Sequence, residues 1–219
     1  MADPLHKFPV FWTSDPEQLT HAALTVFGAT RTEVTTAPNF EARANFLQLQ
    51  DIALAFGASN SAIVLDYPET DFVRFQIGLK GRAITIAVGE QTEINEQQAC
   101  ITSSDRASRM VCDANHERLT LRLSNTALDQ RLVSLLGSRP KGKLEFGTVA
   151  NLNQPQIQSL WQLIRFFAGQ FSSSSCELPP RVLGELEQAI TTAFLCANRH
   201  TFSHLLEQVL TFFTARKYL

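Results

Sequence analysis

Apolar residues first recur at helical spacing. Leu19, Ala22, Ala23, Val26 and Phe27 make one face. Ser14 can cap this segment, Pro16 suits its first turn, Glu17 completes a capping box and Gly28 is a natural stop. From about Arg31 to Ser124 the period falls to two. "NFLQLQ" (45–50), "IALAFGA" (52–58), "FVRFQIGL" (72–79), "RAITIAV" (82–88) and "RLTLRLS" (118–124) alternate or run short and apolar between Gly, Asp, Asn, Pro and Ser. Many short strands in this arrangement predict a sandwich or barrel. In "RLTLRLS", Leu119, Leu121 and Leu123 face one way and Arg118, Thr120 and Arg122 the other. "GLKGR" (78–82) reads as a tight hairpin with Gly78 and Gly81 free to take positive φ.

After Ser124 the period returns to 3.6. Leu128, Leu132, Leu135 and Leu136 share a face that ends at Gly137. Ile157, Leu160, Trp161, Ile164, Phe167 and Phe171 mark a second helix, and Pro180 opens a third through Leu183, Leu186, Ile190, Ala193, Phe194 and Ala197. A last segment puts Phe202, Leu205, Leu206, Val209 and Phe213 on one side. The architecture expected is α+β: a helix, a β-barrel or sandwich, then an all-helical part. The division falls at 1–125 and 126–219.

Composition narrows the function. The 219 residues are 44% hydrophobic and 18% charged, which suits a packed core. A net charge of -2 argues against this chain alone gripping a nucleic-acid backbone. No stretch approaches the roughly 18 apolar residues of a membrane span. "MADPLHKFPVFW" lacks the apolar core of a signal peptide. Cys100, Cys112, Cys176 and Cys196 form no CxxC pair and read as free thiols in a reducing cytoplasm.

Most chemistries lack support. His200 and His204 stand four apart, yet the sequence is not HExxH, no third ligand is suggested, and Thr201 and Ser203 look like helix-start residues. A metal-dependent cupin needs His-x-His and Glu on neighbouring strands, and the predicted barrel has one histidine, His116. There is no GxSxG elbow and no glycine-rich phosphate loop. Glu90, Glu93 and Glu96 sit in a polar, turn-rich stretch that reads as a solvated face. No enzyme activity, cofactor or metal is therefore expected. What remains is arginine in unusual places. Arg74 interrupts an apolar strand beside Phe72, Phe75 and Gln76, Arg43 precedes another, and Arg82, Arg118 and Arg122 lie on others. Most are expected to point to solvent; one or two entering the barrel would meet a small organic acid, with phenylalanines around its apolar body.

The block from Glu69 to Gly137 resembles the effector domain of AraC/XylS-type transcriptional activators. There a strand like "FQIGLKGR" enters a hairpin, two strands follow, and a strand like "RLTLRLSNTALDQRL" runs into a helix. "ELEQAITTAFLCANRHTFSHLL" resembles the family's leucine-rich helix ending at a His-x-x-Ser turn, here His200 to Ser203. The resemblance spans roughly residues 10 to 219. It implies a cupin-like barrel that senses a small molecule, often an aromatic or other organic acid. It also implies a homodimer made through the helices after the barrel, and DNA binding only through a separate helix-turn-helix domain, with "FTARKYL" (213–219) leading towards it. Arg43 and Arg74, with Phe72 and Gln76, are the ligand-binding candidates. Leu160, Ile164 and Phe167, or Leu183, Leu186 and Ile190, are the dimer candidates. Neither a close Arg-x-x-x-Arg pair nor an Asp-x-Ser-x-x-Gly stretch is read along the chain, which counts against a cyclic dinucleotide effector. The competing readings are a cupin-type barrel enzyme and a ligand-free interaction module.

Overall fold

The computed structural model describes residues 3–35, 38–172 and 178–208. Expectations for Cys176, Val209, Phe213 and the closing "FTARKYL" lie outside the described residues. Twelve strands form two antiparallel sheets among these residues; one helix follows the first strand, and the other three come after the eleventh.

The N-terminal helix α1 (Pro16–Thr25) is preceded by a strand that the periodicity did not show, β1 (Pro9–Thr13). Its cap is Asp15, not Ser14: the Asp15 carboxylate accepts from the Glu17 N–H at 2.9 Å. Gly28 is the stop as expected, at φ 71°, with the Ala29 N–H reaching back to the Ala23 carbonyl. Strands β2 (Arg31–Val34), β3 (Ala42–Gln48), β4 (Ile52–Ser59), β5 (Ile63–Tyr67), β6 (Phe72–Lys80), β7 (Ala83–Ala87), β8 (Glu90–Ile94), β9 (Gln98–Thr102), β10 (Ser108–Cys112) and β11 (His116–Ser124) follow. One sheet has the order β2-β5-β10-β7-β8. The other runs β1-β3-β4-β11-β6-β9 and is completed by β12 (Val149–Asn151), a strand contributed from among the helices. The two-part division at residue 125 is thus crossed by the sheet itself.

Two sequence expectations change. The 78–82 turn is not a hairpin, because β6 belongs to the seven-stranded sheet and β7 to the five-stranded one. Gly81 does take positive φ, at 70°. Gly78 is needed for a different reason: a Cβ there would stand 2.7 Å from the Asn95 backbone. The acidic stretch after Gly89 is strand β8, paired to β7, with Thr92 and Ile94 buried and Glu90 exposed. Its polar character reflects one solvated face rather than a loop.

Helix α2 (Asn125–Leu136) grows directly from β11. Ser124 caps it through the Ala127 N–H, and Gly137 ends it at φ 74°. Helices α3 (Pro155–Ser172) and α4 (Pro180–Ala197) follow. All three lie against the outer face of the seven-stranded sheet. One cluster joins Ile52, Leu54, Phe75, Ile77, Leu119, Leu121 and Leu123 of the strands to Leu128, Leu160, Ile164, Phe167, Ile190 and Phe194 of the helices. The Phe75 and Phe194 rings meet edge-on at 5.6 Å. Each such fully buried side chain contributes about 1.5–3 kcal/mol. Glu187 of α4 adds a polar tie: its carboxylate accepts the Asp51 and Ile52 N–H groups at 2.7 and 3.1 Å, at the start of β4.

This packing corrects the dimer expectation at four positions. Leu160, Ile164, Phe167 and Ile190 are each 0% exposed within the single chain, so they have no surface left to offer a second copy. Leu183 and Leu186 are only partly buried.

Gly78→Ala is expected to destabilise the fold by about 2 kcal/mol, because its methyl meets backbone that cannot rotate away. Gly169→Ala, in an exposed part of α3 where a Cβ meets nothing within 4 Å, is expected to stabilise it by about 0.5–1 kcal/mol. Urea midpoints of the two variants check both signs.

Candidate functional site

The inward row of the seven-stranded sheet is polar. Pairing places Gly57, Arg118 and Gly78 in one cross-strand row, Ala55, Thr120, Gln76 and Cys100 in the next, and Ala53, Arg122, Arg74 and Thr102 in the third. Ala53, Ala55 and Gly57 of β4 are too small to fill the space beside their arginine and threonine neighbours. The result is a cavity of about 60 Å³ that opens to solvent at its mouth. Ile63, Leu65 and Tyr67 of β5 form the opposite wall, and Leu19, Ala23 and Phe27 of the α1 segment lie at the rim.

Four arginines line this space, Arg43, Arg74, Arg118 and Arg122, and the last three stand in its inward rows. Arg74 is 3% exposed. It donates to the Ser108 hydroxyl at 3.3 Å and the Pro68 carbonyl at 3.4 Å, and lies over Tyr67 at 4.4 Å and Phe72 at 5.4 Å. Burial lowers its pKa to about 10, and the positive Arg122 pushes the same way. Arg122 donates to the Phe27 carbonyl at 2.9 Å and stacks over Phe72 and Phe46 at 4.9 and 5.2 Å. Burial lowers its pKa too. The Nε–H groups of both arginines are buried and have no partner. Arg74 and Arg122 are also direct cross-strand neighbours, an arrangement of like charges that costs stability. Arg118 donates to His116 Nε2 at 3.0 Å, while His116 Nδ1 donates to the Asp113 carbonyl at 2.9 Å. The imidazole is therefore the neutral Nδ1–H tautomer. Burial first, then the Arg118 charge, lowers its pKa to about 4. No Asp or Glu lines the cavity among the described residues.

The sequence candidates divide. Arg74 and Phe72 come together as a stacked pair. Gln76 is buried in the floor, with its amide committed to Thr85 and Met110 of the facing sheet. Arg43 differs. It stands in the outward register with Ala58 and Glu117, and Asp3 and Glu117 hold its guanidinium at 2.5 and 3.3 Å. Its charge is already met. Arg118 and Arg122, expected to face solvent, are the inward pair. They form the close Arg-x-x-x-Arg pair that the sequence reading did not find, and that spacing opposite the small residues of β4 is the signal for them.

Other groups are settled by their contacts. His200 donates from Nε2 to the Leu195 carbonyl and accepts the Phe202 N–H on Nδ1, while the Ser203 hydroxyl accepts the His200 N–H. Both ring nitrogens are used, so the His-x-x-x-His spacing is helix punctuation after α4. Among the described residues no group of three His, Cys, Asp or Glu is placed to hold a metal. Burial raises the pKa of the Cys100 and Cys112 thiols, which keeps them protonated and poorly nucleophilic. No described helix is long and apolar enough to cross a membrane.

A cupin-like antiparallel sandwich with a cationic lumen and a covering layer of helices is the class these features define. A family model for the AraC-binding-like domain matches residues 20–196, and the chain belongs to that family. Among solved structures it is similar to the AraC-like transcriptional activator CuxR, at 14% identity and TM-score 0.60, over 86% of this chain and 71% of that one. That likeness shows the fold. Similarity over less than half of this chain extends to the EutQ protein of Clostridium difficile (6% identity, 40% of this chain and 71% of that one, TM-score 0.33). A cupin superfamily protein from Desulfitobacterium hafniense is similar at 10% identity (42% of this chain and 83% of that one, TM-score 0.35). No curated protein matches.

His116 makes folding pH-dependent. Folding lowers its pKa, so its stabilising contribution is complete above the unfolded value near 6.5 and is lost as the pH falls towards about 4. Between pH 7 and pH 5 the loss from this group is about 2 kcal/mol. Urea unfolding at both pH values checks this: His116→Gln should lose about 2 kcal/mol less than the wild type across the same interval.

Proposed function

We propose that this domain is the sensor part of a bacterial AraC/XylS-type transcription regulator and that it binds a small organic acid, without chemical transformation, inside the sandwich. One observation carries the reading: Arg74, Arg118 and Arg122, with Arg43 beside them, line a cavity that no acidic side chain lines among the described residues. Retaining unpaired guanidinium groups costs stability unless they serve an anion. The ligand carboxylate goes to Arg74 and Arg122, whose Nε–H groups lack protein partners. Phe72, Tyr67 and Phe27 hold its apolar body, and Gln76 belongs to the floor beneath it.

Binding acts by shifting populations of helix packing. Arg74 faces the ligand, while the adjacent Phe75 faces α4 through Phe194. Such a sensor, acting in the cytoplasm, reaches DNA through a helix-turn-helix domain outside this sequence. The homodimer expectation shifts to Leu183 and Leu186, with the exposed Val182 on the same helix and Phe166 on α3. Sedimentation as a monomer at tens of micromolar removes it.

Thermal unfolding in the presence of benzoate tests the site. At about 100 times its Kd an acid adds about 2.7 kcal/mol, a rise in Tm of about 5–10 °C. Arg74→Met should abolish the rise. Without acid the variant should be no less stable than the wild type, since a buried unpaired charge is replaced by an apolar side chain. Failure of benzoate and of other small organic acids to stabilise the wild type overturns the reading.

A further inference from the structure

We propose that the effector is a two-ended diacid, with anionic groups at opposite ends of an apolar body. This rests on the sensor reading and sharpens it. The cationic groups of the cavity are not one cluster. Arg74 and Arg122 form one pole, directly paired across β6 and β11 and sharing the Phe72 ring. Arg118 forms the other, four residues earlier on the same face of β11, which separates its Cα from that of Arg122 by about 13 Å.

The two heads are held by different partners, yet they stay within each other's field, because the Arg118 charge contributes to the lowered Arg122 pKa. The Arg118 head is drawn towards the start of the strand by His116 Nε2 at 3.0 Å and Cys112 Sγ at 3.5 Å. The Arg122 head is held by the Phe27 carbonyl and lies between Phe46, in the Thr120 row, and Phe72, one row beyond its own. Between the poles the floor is neutral: Thr120, Ala55 and Gln76, the last with its amide already bonded across the sandwich. Facing them are Ile63 and Leu65.

A monoacid satisfies one pole and leaves the other guanidinium without an anionic partner. A diacid satisfies both and lays its middle on the apolar wall. Such ligands are chemically ordinary: a benzene ring or a short methylene chain sets two carboxylates about 6 Å apart, and each can then accept from its own guanidinium. Neither end is balanced by a negative charge: Arg118 meets a neutral His116, and Arg74 and Arg122 meet a hydroxyl and main-chain carbonyls.

Calorimetric titration of the full 219-residue chain at pH 7.5 and constant ionic strength tests this with two matched pairs, benzoate against terephthalate and hexanoate against adipate, plus phenyl phosphate. At least one diacid should bind about tenfold or more tightly than its monoacid, the equivalent of one additional charge-assisted contact. Arg118→Met, checked by circular dichroism for an intact fold, should weaken that diacid at least fivefold more than the monoacid. Arg74→Met should weaken both. If monoacids bind and neither diacid binds better, or if phenyl phosphate equals the better diacid and Arg118→Met affects both alike, the two-pole inference is overturned while the sensor reading stands. If no acid binds, both fall together.

Discussion

The structure depends on where one row of leucines goes. Leu119, Leu121 and Leu123 of β11 are 0–1% exposed, and they are buried against helices, not against the facing sheet. Side chains on a strand alternate strictly. Once that row is committed outwards, Arg118, Thr120 and Arg122 have no choice but the interior. A one-residue slip of register would drive two guanidinium groups into the helix contact. The helical layer is therefore what permits a polar lumen: it takes over the apolar surface that a free-standing sandwich would turn inwards. The same logic runs through β6, where Val73, Phe75 and Ile77 face the helices and Arg74 and Gln76 face the cavity.

That inversion explains what was legible in the sequence and what was not. The alternation of "RLTLRLS" identified β11 and sorted its residues into two faces, and both sets are as read. Alternation is silent about which face is inside when both faces are covered, so Arg118 and Arg122 were placed on the wrong side. Arg43 and Arg74 were equally plausible for the same reason. The register of β3 puts the first in the outward row, where it borders the cavity and is held by Asp3 and Glu117, and the register of β6 puts the second in the inward row. Short strands such as β8 and β10 escaped because only every second residue is buried and the exposed ones are charged or polar. Stops read well at Gly28 and Gly137, since these rest on local backbone chemistry that tertiary packing does not override, while the cap read at Ser14 falls one residue on, at Asp15.

Helical faces were read correctly and assigned to the wrong partner. The stripe of α3 through Leu160, Ile164 and Phe167 looked like more apolar surface than a small bundle requires. It is required, because the helices cover most of a seven-stranded sheet as well as one another. Amphipathicity states that a face must be buried and does not state against what.

The cost of the lumen and the means of relaying its state come from the same strands. Arg74 and Arg122 oppose each other with unpaired Nε–H groups, and aromatic stacking with main-chain carbonyls offsets only part of their desolvation. An anion received there meets donors that have already lost their water, so binding gains more than it would at the surface. The gain is spent on β6 and β11, and these strands are not free to move alone. Phe75 is pressed on Phe194, Leu121 lies in the same cluster as Leu128, and β11 continues without a break into α2. Asp51 links the layers again, receiving the Ser124 N–H on its carbonyl while Glu187 of α4 takes its own N–H. A change in strand position at the arginines must therefore be accommodated at α2 and α4, because a close-packed contact of this kind shifts as a unit or not at all.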